Sequence, residues 1–147
     1  MQVYTTADVA SIEPGRVRAR VPAAVLADLR GRAERAGRLE CCGLLVGRTA
    51  AGTIEVAAAV AAANVAADPA RRFSIAAGTV LAGQRAAERA GLDVVGFYHS
   101  HPVGEAVPSP ADIHGAFPGY LHVIVAKADV RAWHRPEADT PLEEVLL

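Results

Sequence analysis

The chain has 147 residues, long enough for one domain with a substantial core. Apolar residues make up 52% and charged residues 21%, which excludes a disordered polymer. The formal net charge of −1 argues against nucleic acid or an anionic membrane as a partner held by bulk charge.

The first fifteen residues, MQVYTTADVASIEPG, are mixed and polar, so no secretory leader is expected. Arg16–Val21 alternates and reads as a strand. Pro22 suits the first position of a helix that Gly37 stops. Cys41–Gly47 is a short apolar run and reads as a strand buried on both faces, with Thr53 onward as its hairpin partner. The alanine-rich stretch 56–67 is too short and too weakly apolar to span a bilayer. A soluble, cytoplasmic protein is expected.

Asn64–Arg72 reads as a loop, with a short strand around Phe73. Ala77–Gly91 has the pattern of a second helix. Asp93–His101 is a strongly apolar strand that runs into two histidines. Leu121–Lys127 and Val130–His134 read as two further strands across a tight turn, and the tail as a final helix or a docking strand. No repeat or linker interrupts the pattern, so residues 1–147 are expected to form a single α/β (α+β) domain around one sheet. Cys41 and Cys42 are neighbours, and no disulfide framework is on offer.

The chemistry gathers at HSHPVGEAVPSPAD, His99–Asp112. His99 and His101 are two apart on a strand, so both rings leave the same face. Pro102 ends ladder pairing because it has no N–H to donate. Asp112 is the natural third ligand, and two neutral imidazoles with one carboxylate would leave a fourth zinc position open. The same residues also read as an ordinary helix start, with Ser109 as N-cap, Pro110 at the first position and Asp112 three residues on. Capping and metal ligation would compete for one Asp112 oxygen, and the metal is expected to win. A hydrolase needs a base as well, and Glu40, just before the apolar strand, has the best setting. Glu40 also reads as the plain end of a loop.

Taken together, ECCGLLVG and HSHPVGEAVPSPAD resemble the JAMM (MPN-plus) metalloprotease family, its prokaryotic JAB members included. The family pattern is a glutamate ahead of a Cys-Gly strand, then His-Ser/Thr-His-Pro, then Ser and Asp. Here Glu40, His99-Ser100-His101-Pro102, Ser109 after seven intervening residues and Asp112 after two more occupy that pattern. The resemblance implies a single mixed, curved sheet flanked by helices, the MPN and cytidine-deaminase type of fold. It implies Zn2+ held by His99, His101 and Asp112, with Glu40 as general base and Ser109 at the developing oxyanion. It implies as substrate a peptide or isopeptide bond at the Gly-Gly tail of a ubiquitin-like protein. The compact chain points to a prokaryotic processing enzyme on a sulfur-carrier protein.

Other residues stay outside this reading. His114, His122 and His134 have no ligand partner at a telling spacing, Cys42 reads as a small buried residue, and Glu105 as solvated. Gly43 and Gly47 read as sites of close packing, and Cys41 departs from the family pattern as a second cysteine. The rival readings are a non-catalytic MPN scaffold, which lacks some ligands, and a cupin-like metal oxygenase built on HSHPVGE, which needs an all-β barrel.

Overall fold

A computed structural model describes residues 16–147. The expectation of no secretory leader falls on residues 1–15, outside that range. Seven strands form one sheet in the order β1-β3-β2-β4-β5-β6-β7. They are β1 (Arg18–Arg20), β2 (Cys42–Ala50), β3 (Thr53–Ala62), β4 (Asp93–His101), β5 (Leu121–Ala126), β6 (Val130–His134) and β7 (Glu143–Val145). The β1/β3 and β4/β5 pairs are parallel and the others antiparallel, which makes the sheet mixed, as expected.

Helix α1 (Ala23–Ala36) covers one face of the sheet, burying Val25 and Leu29 against Leu45, Tyr98, Val123 and Val125. These two helix residues are four apart, so they share a face. Helix α2 (Ala77–Arg89) covers the other face and places Val80 and Ala87 against Leu44 and Phe97. The central strands are therefore sealed on both sides. Cys42–Gly47 and Val94–Ser100 are buried without interruption, which explains their unbroken apolar sequence.

Two expectations shift, and for the tail the strand alternative holds. Pro22 sits one residue ahead of α1, its ψ of 147° extended and its carbonyl accepting the N–H groups of Val25 and Leu26. No strand forms around Phe73, because its neighbours bond elsewhere: Ser74 N–H donates to the Asn64 side chain and Ser74 C=O accepts from Val65 N–H. The tail adds to β6 as a strand, where Glu144 forms a two-pronged pair with Arg131 (2.7 Å for each contact) and Val145 is buried.

The β2–β3 turn runs through Ala51 and Gly52, both at positive φ (50° and 76°), the backbone that a tight hairpin requires. Gly43 and Gly47 are close-packing sites as expected. A Cβ on Gly43 would overlap the Val60 carbonyl and lie 2.6 Å from the Tyr98 hydroxyl.

Gly43→Ala should therefore destabilise the fold by at least about 1–3 kcal/mol, since backbone and a buried ring must move. Gly78→Ala, in α2 with open space around it, should be neutral or stabilise by up to about 1 kcal/mol. Urea unfolding of the two variants beside the parent measures both; equal effects would overturn the packing argument.

Candidate functional site

The site forms where the parallel pair β4/β5 ends at its carboxyl edge. His99 and His101 close β4 and face the same way. Residues 102–109 then loop back and are tied down at two points. Trp133 Nε1–H donates to Ala106 C=O (3.1 Å), and His101 Nδ1–H donates to Glu105 C=O (2.8 Å). The loop delivers helix α3 (Pro110–Gly115) with Ser109 as its N-cap. Arg135, nearly buried, reaches Ile113 C=O (2.9 Å) and fixes the far end of this short helix.

Three side-chain atoms then converge. His99 Nε2 and His101 Nε2 are 3.0 Å apart, and Asp112 Oδ2 lies 3.1 Å from the first and 3.0 Å from the second. The carbonyl of Glu105 can only accept, so Nδ1 of His101 carries a proton; in the metal-free protein Nε2–H can serve Asp112, and in the neutral ring Nε2 keeps a lone pair for a metal. Burial keeps His99 below its ordinary pKa, which favours its neutral, ligating form. Burial also opposes charge on Asp112, but hydrogen bonds from His101, His99 and the Ser109 N–H outweigh it and hold the carboxyl well below the usual range.

Three electron-rich atoms packed this closely need a shared proton or a cation. Ligands about 2.0 Å from a tetrahedral ion lie roughly 3.3 Å apart, so the triangle is close to one face of a zinc site. The donor set fits the metal.

At Asp112 the helix cap and the histidine cluster meet. The capping box is complete: Asp112 N–H donates to Ser109 Oγ (3.1 Å), and Ser109 N–H donates to Asp112 Oδ2 (2.9 Å). That oxygen is the same one that faces both histidines. A carboxylate oxygen has two lone pairs, so cap and cluster share it. Ser109 Oγ, having accepted from Asp112, keeps its own proton to donate.

Glu40 arrives from the other side of the sheet order. Cys42 is opposite His99 in the antiparallel β2/β4 register. Cys41 and Ser100 follow, joined by Ser100 N–H to Cys41 C=O (2.9 Å) and Cys41 N–H to Ser100 Oγ (2.9 Å). One more step carries Glu40 beside His101. The ligating atoms of Glu40, His99 and His101 all lie within 4.8 Å of one another. Asp112, at 3.0–3.1 Å, completes the tight triangle, and Glu40 stands beside it.

Glu40 is 6% exposed, and its Oε2 has no hydrogen-bond partner among the described residues. Burial raises its pKa from the ordinary 4.5 to about 7, with His101 pulling the other way. A carboxylate poised near neutrality is suited to taking and returning a proton.

Two clefts meet at this cluster. One, of about 1260 Å³, is lined by Glu40, His101 and Ser109 together with Arg30, Arg38 and Lys127. The other, of about 940 Å³, is lined by His99 and Asp112 with Phe73, Phe97, Phe117 and Tyr120. The remaining histidines stay apart: His114 is exposed, His122 donates to Phe117 C=O (2.9 Å), and His134 is buried in β6. Glu105 is exposed and meets His101 through its backbone alone, which removes the carboxylate a cupin would use; the helices on both faces of the sheet remove the cupin barrel. Cys42 is buried and Cys41 partly so.

Two residues escaped the sequence reading. Phe73 stacks on His99 (centroids 4.3 Å apart, planes 18° off parallel). Asn64 bonds the backbone of Glu40. The turn-forming habit of Asn is a local signal, but its reach to Glu40 is a long-range contact with no mark in the sequence.

A family profile described as prokaryotic homologs of the JAB domain matches residues 22–136. The desampylase of Haloferax volcanii is 42% identical over 86 residues, 58% of this chain and 60% of that protein, so less than two thirds of that relative is matched. A probable TtuB-protein conjugate cleaving protease of Thermus thermophilus is 35% identical over 117 residues, 80% of this chain and 76% of that one. Among solved structures, a Desulfitobacterium hafniense protein superposes with a TM-score of 0.75 at 23% identity, over 86% of this chain and 88% of that one. A Salinibacter ruber protein does so with a TM-score of 0.68 at 32% identity, over 89% and 90%.

Because the folded pKa of Glu40 lies above its unfolded value, its ionisation opposes folding. The penalty is absent below about pH 4.5 and complete above about pH 7. Glu40→Gln should therefore stabilise the chelator-treated protein by up to about 3 kcal/mol at pH 8, with the gain shrinking as pH falls towards 4.5. Denaturant titrations at several pH values check this; a pH-independent difference would sink it.

Proposed function

This chain belongs to the prokaryotic JAB-domain family, and from that premise we propose that it is a zinc-dependent peptidase or isopeptidase acting at the C-terminal tail of a ubiquitin-like protein. The observation that carries the reading is the buried, unpartnered Glu40 carboxylate oxygen beside the His99–His101–Asp112 triangle. The names of two relatives, a desampylase and a TtuB-conjugate cleaving protease, support ubiquitin-like conjugates as the substrate class. A sulfur-carrier protein with a Gly-Gly tail is the particular substrate we favour.

In this reading His99 Nε2, His101 Nε2 and Asp112 Oδ2 hold the ion. Zinc bound there supplies a water of lowered pKa and polarises the scissile carbonyl. Glu40 accepts a proton as the water oxygen bonds to the carbonyl carbon. It returns that proton to the nitrogen as the C–N bond breaks, leaving a carboxylic acid and an amine, which at neutral pH settle as carboxylate and ammonium. Ser109 Oγ–H donates to the oxyanion, its oxygen already steadied by the Asp112 N–H. The cluster lies between the two clefts, so an extended tail can occupy one while the leaving group sits in the other. Arg135 and Trp133 keep α3 and its loop in place and so hold Asp112 and Ser109 at working distance.

The non-catalytic scaffold reading loses ground here because no ligand is missing. Glu40→Gln should lower turnover of a tail-extended ubiquitin-like protein by about 10²–10⁴-fold while bound zinc stays stoichiometric. Mass spectrometry of the products and metal analysis of the same samples test it. Undiminished cleavage by the variant, or no cleavage by zinc-loaded parent protein on any such tail or conjugate, would overturn the assignment. Removing zinc by chelation should abolish cleavage, and adding it back should restore it.

A further inference from the structure

The segment from Asn64 to Ser74 has no regular secondary structure, yet it is bound tightly at one point. The Asn64 amide uses its whole hydrogen-bonding capacity. Nδ2 donates to Glu40 C=O (3.0 Å) and to Arg72 C=O (2.9 Å). Oδ1 accepts from Ala66 N–H (3.1 Å) and Ser74 N–H (3.1 Å). The orientation of the amide is decided by its partners, since a flipped group would set NH₂ against two N–H groups and oxygen against two carbonyls.

What these bonds hold is specific. Glu40 precedes β2, so the register brings it beside His101 but strand pairing does not bond its own N–H and C=O. The loop does so instead: Glu40 N–H donates to Pro69 C=O (2.8 Å) and Glu40 C=O accepts from Asn64. Arg72 and Ser74, the two other long-range partners of the amide, flank Phe73. The Phe73 ring in turn lies flat on His99. One side chain thus grips the backbone of Glu40 and both neighbours of the ring that packs on His99.

We propose that Asn64 is a positioning residue for the site, locking the 64–74 loop so that Glu40 and, through Phe73, His99 are held in their working places. The inference rests on the reading of Glu40 as base and His99 as ligand given above. A residue that merely closes a surface loop would leave both of those groups where they are.

The test uses the zinc-loaded full chain and a tail-extended ubiquitin-like protein. Asn64→Ala should lower kcat by about 10–100-fold with KM within about threefold, the range seen when a group behind the reacting residues is removed. Combined with Glu40→Gln it should add less than about twofold to the loss from Glu40→Gln alone, because the two changes remove one function. Competition with a chromophoric chelator gives a readout apart from activity: Asn64→Ala and Phe73→Ala should each weaken zinc retention by about tenfold.

If Asn64→Ala does not fold, Asn64→Asp keeps the acceptor to Ala66 and Ser74 but replaces the donors with a charged oxygen facing the Glu40 and Arg72 carbonyls. It should show the same loss of kcat with cooperative unfolding intact. Losses that multiply in the double variant, or a wild-type kcat and zinc affinity in Asn64→Asp, would overturn the proposal. Should Glu40→Gln turn over normally, the base assignment fails, and zinc competition alone decides the role of Asn64: unchanged affinity refutes it, weakened affinity supports it.

Discussion

The β2–β4 register is the constraint on which the site depends. It sets Cys42 opposite His99 and brings Glu40 beside His101 across a long stretch of sequence. Side chains alternate at every step of a strand, so a slip of one residue would turn Glu40 to the opposite face. The register is itself irregular, shifting between Leu45 and Val46, and the half of the pairing nearest the site is pinned by the two bonds between Cys41 and Ser100. Gly43 gives the room for this: Val60 and Tyr98 press against a position where no side chain would fit.

Polar groups are then buried at the end of an apolar sheet. Glu40 is left with an unpaired oxygen, and two imidazoles and a carboxylate are crowded together. The ionised Glu40 works against folding of the metal-free chain, whereas at Asp112 the hydrogen bonds from His101, His99 and the Ser109 N–H outweigh the cost of burial. The surroundings compensate with apolar packing and with hydrogen bonds. Ser109 and Asp112 cap each other, Trp133 and Arg135 anchor the returning loop and helix, and the Asn64 amide leaves no donor or acceptor idle. Among these supports Arg135 Nε, like Glu40 Oε2, is buried with no hydrogen-bond partner among the described residues.

Much of the fold was legible because the elements announce themselves locally. The apolar runs 41–47 and 93–101 had to be central strands, since only strands covered on both faces bury every side chain. Pro22 and Gly37 bracketed α1 to within a residue, and Asp93–His101 matches β4 end to end. The misreading at Phe73 has a physical source. An aromatic residue two places before a β-branched one, Phe73 and Ile75, looks like a strand, but Ser74 between them found backbone partners in Asn64 and Val65 instead of a ladder. The tail was ambiguous for a similar reason, because its place on β6 depends on Arg131 and on a buried slot for Val145 that no local pattern predicts.

At the site, the sequence by itself determined which residue types were available and that His99 and His101 share a face, because strand geometry has a period of two. Its motif spacing, through the family it resembles, also pointed to Glu40, Ser109 and Asp112. Tertiary structure alone decided that Asp112 Oδ2 serves the helix cap and the histidines at once, and that Glu40 is buried without a partner. It alone brought Asn64 and Phe73 into play. The reason is that register, burial and hydrogen-bond satisfaction belong to pairs of distant segments, and a pattern read along one segment does not contain them.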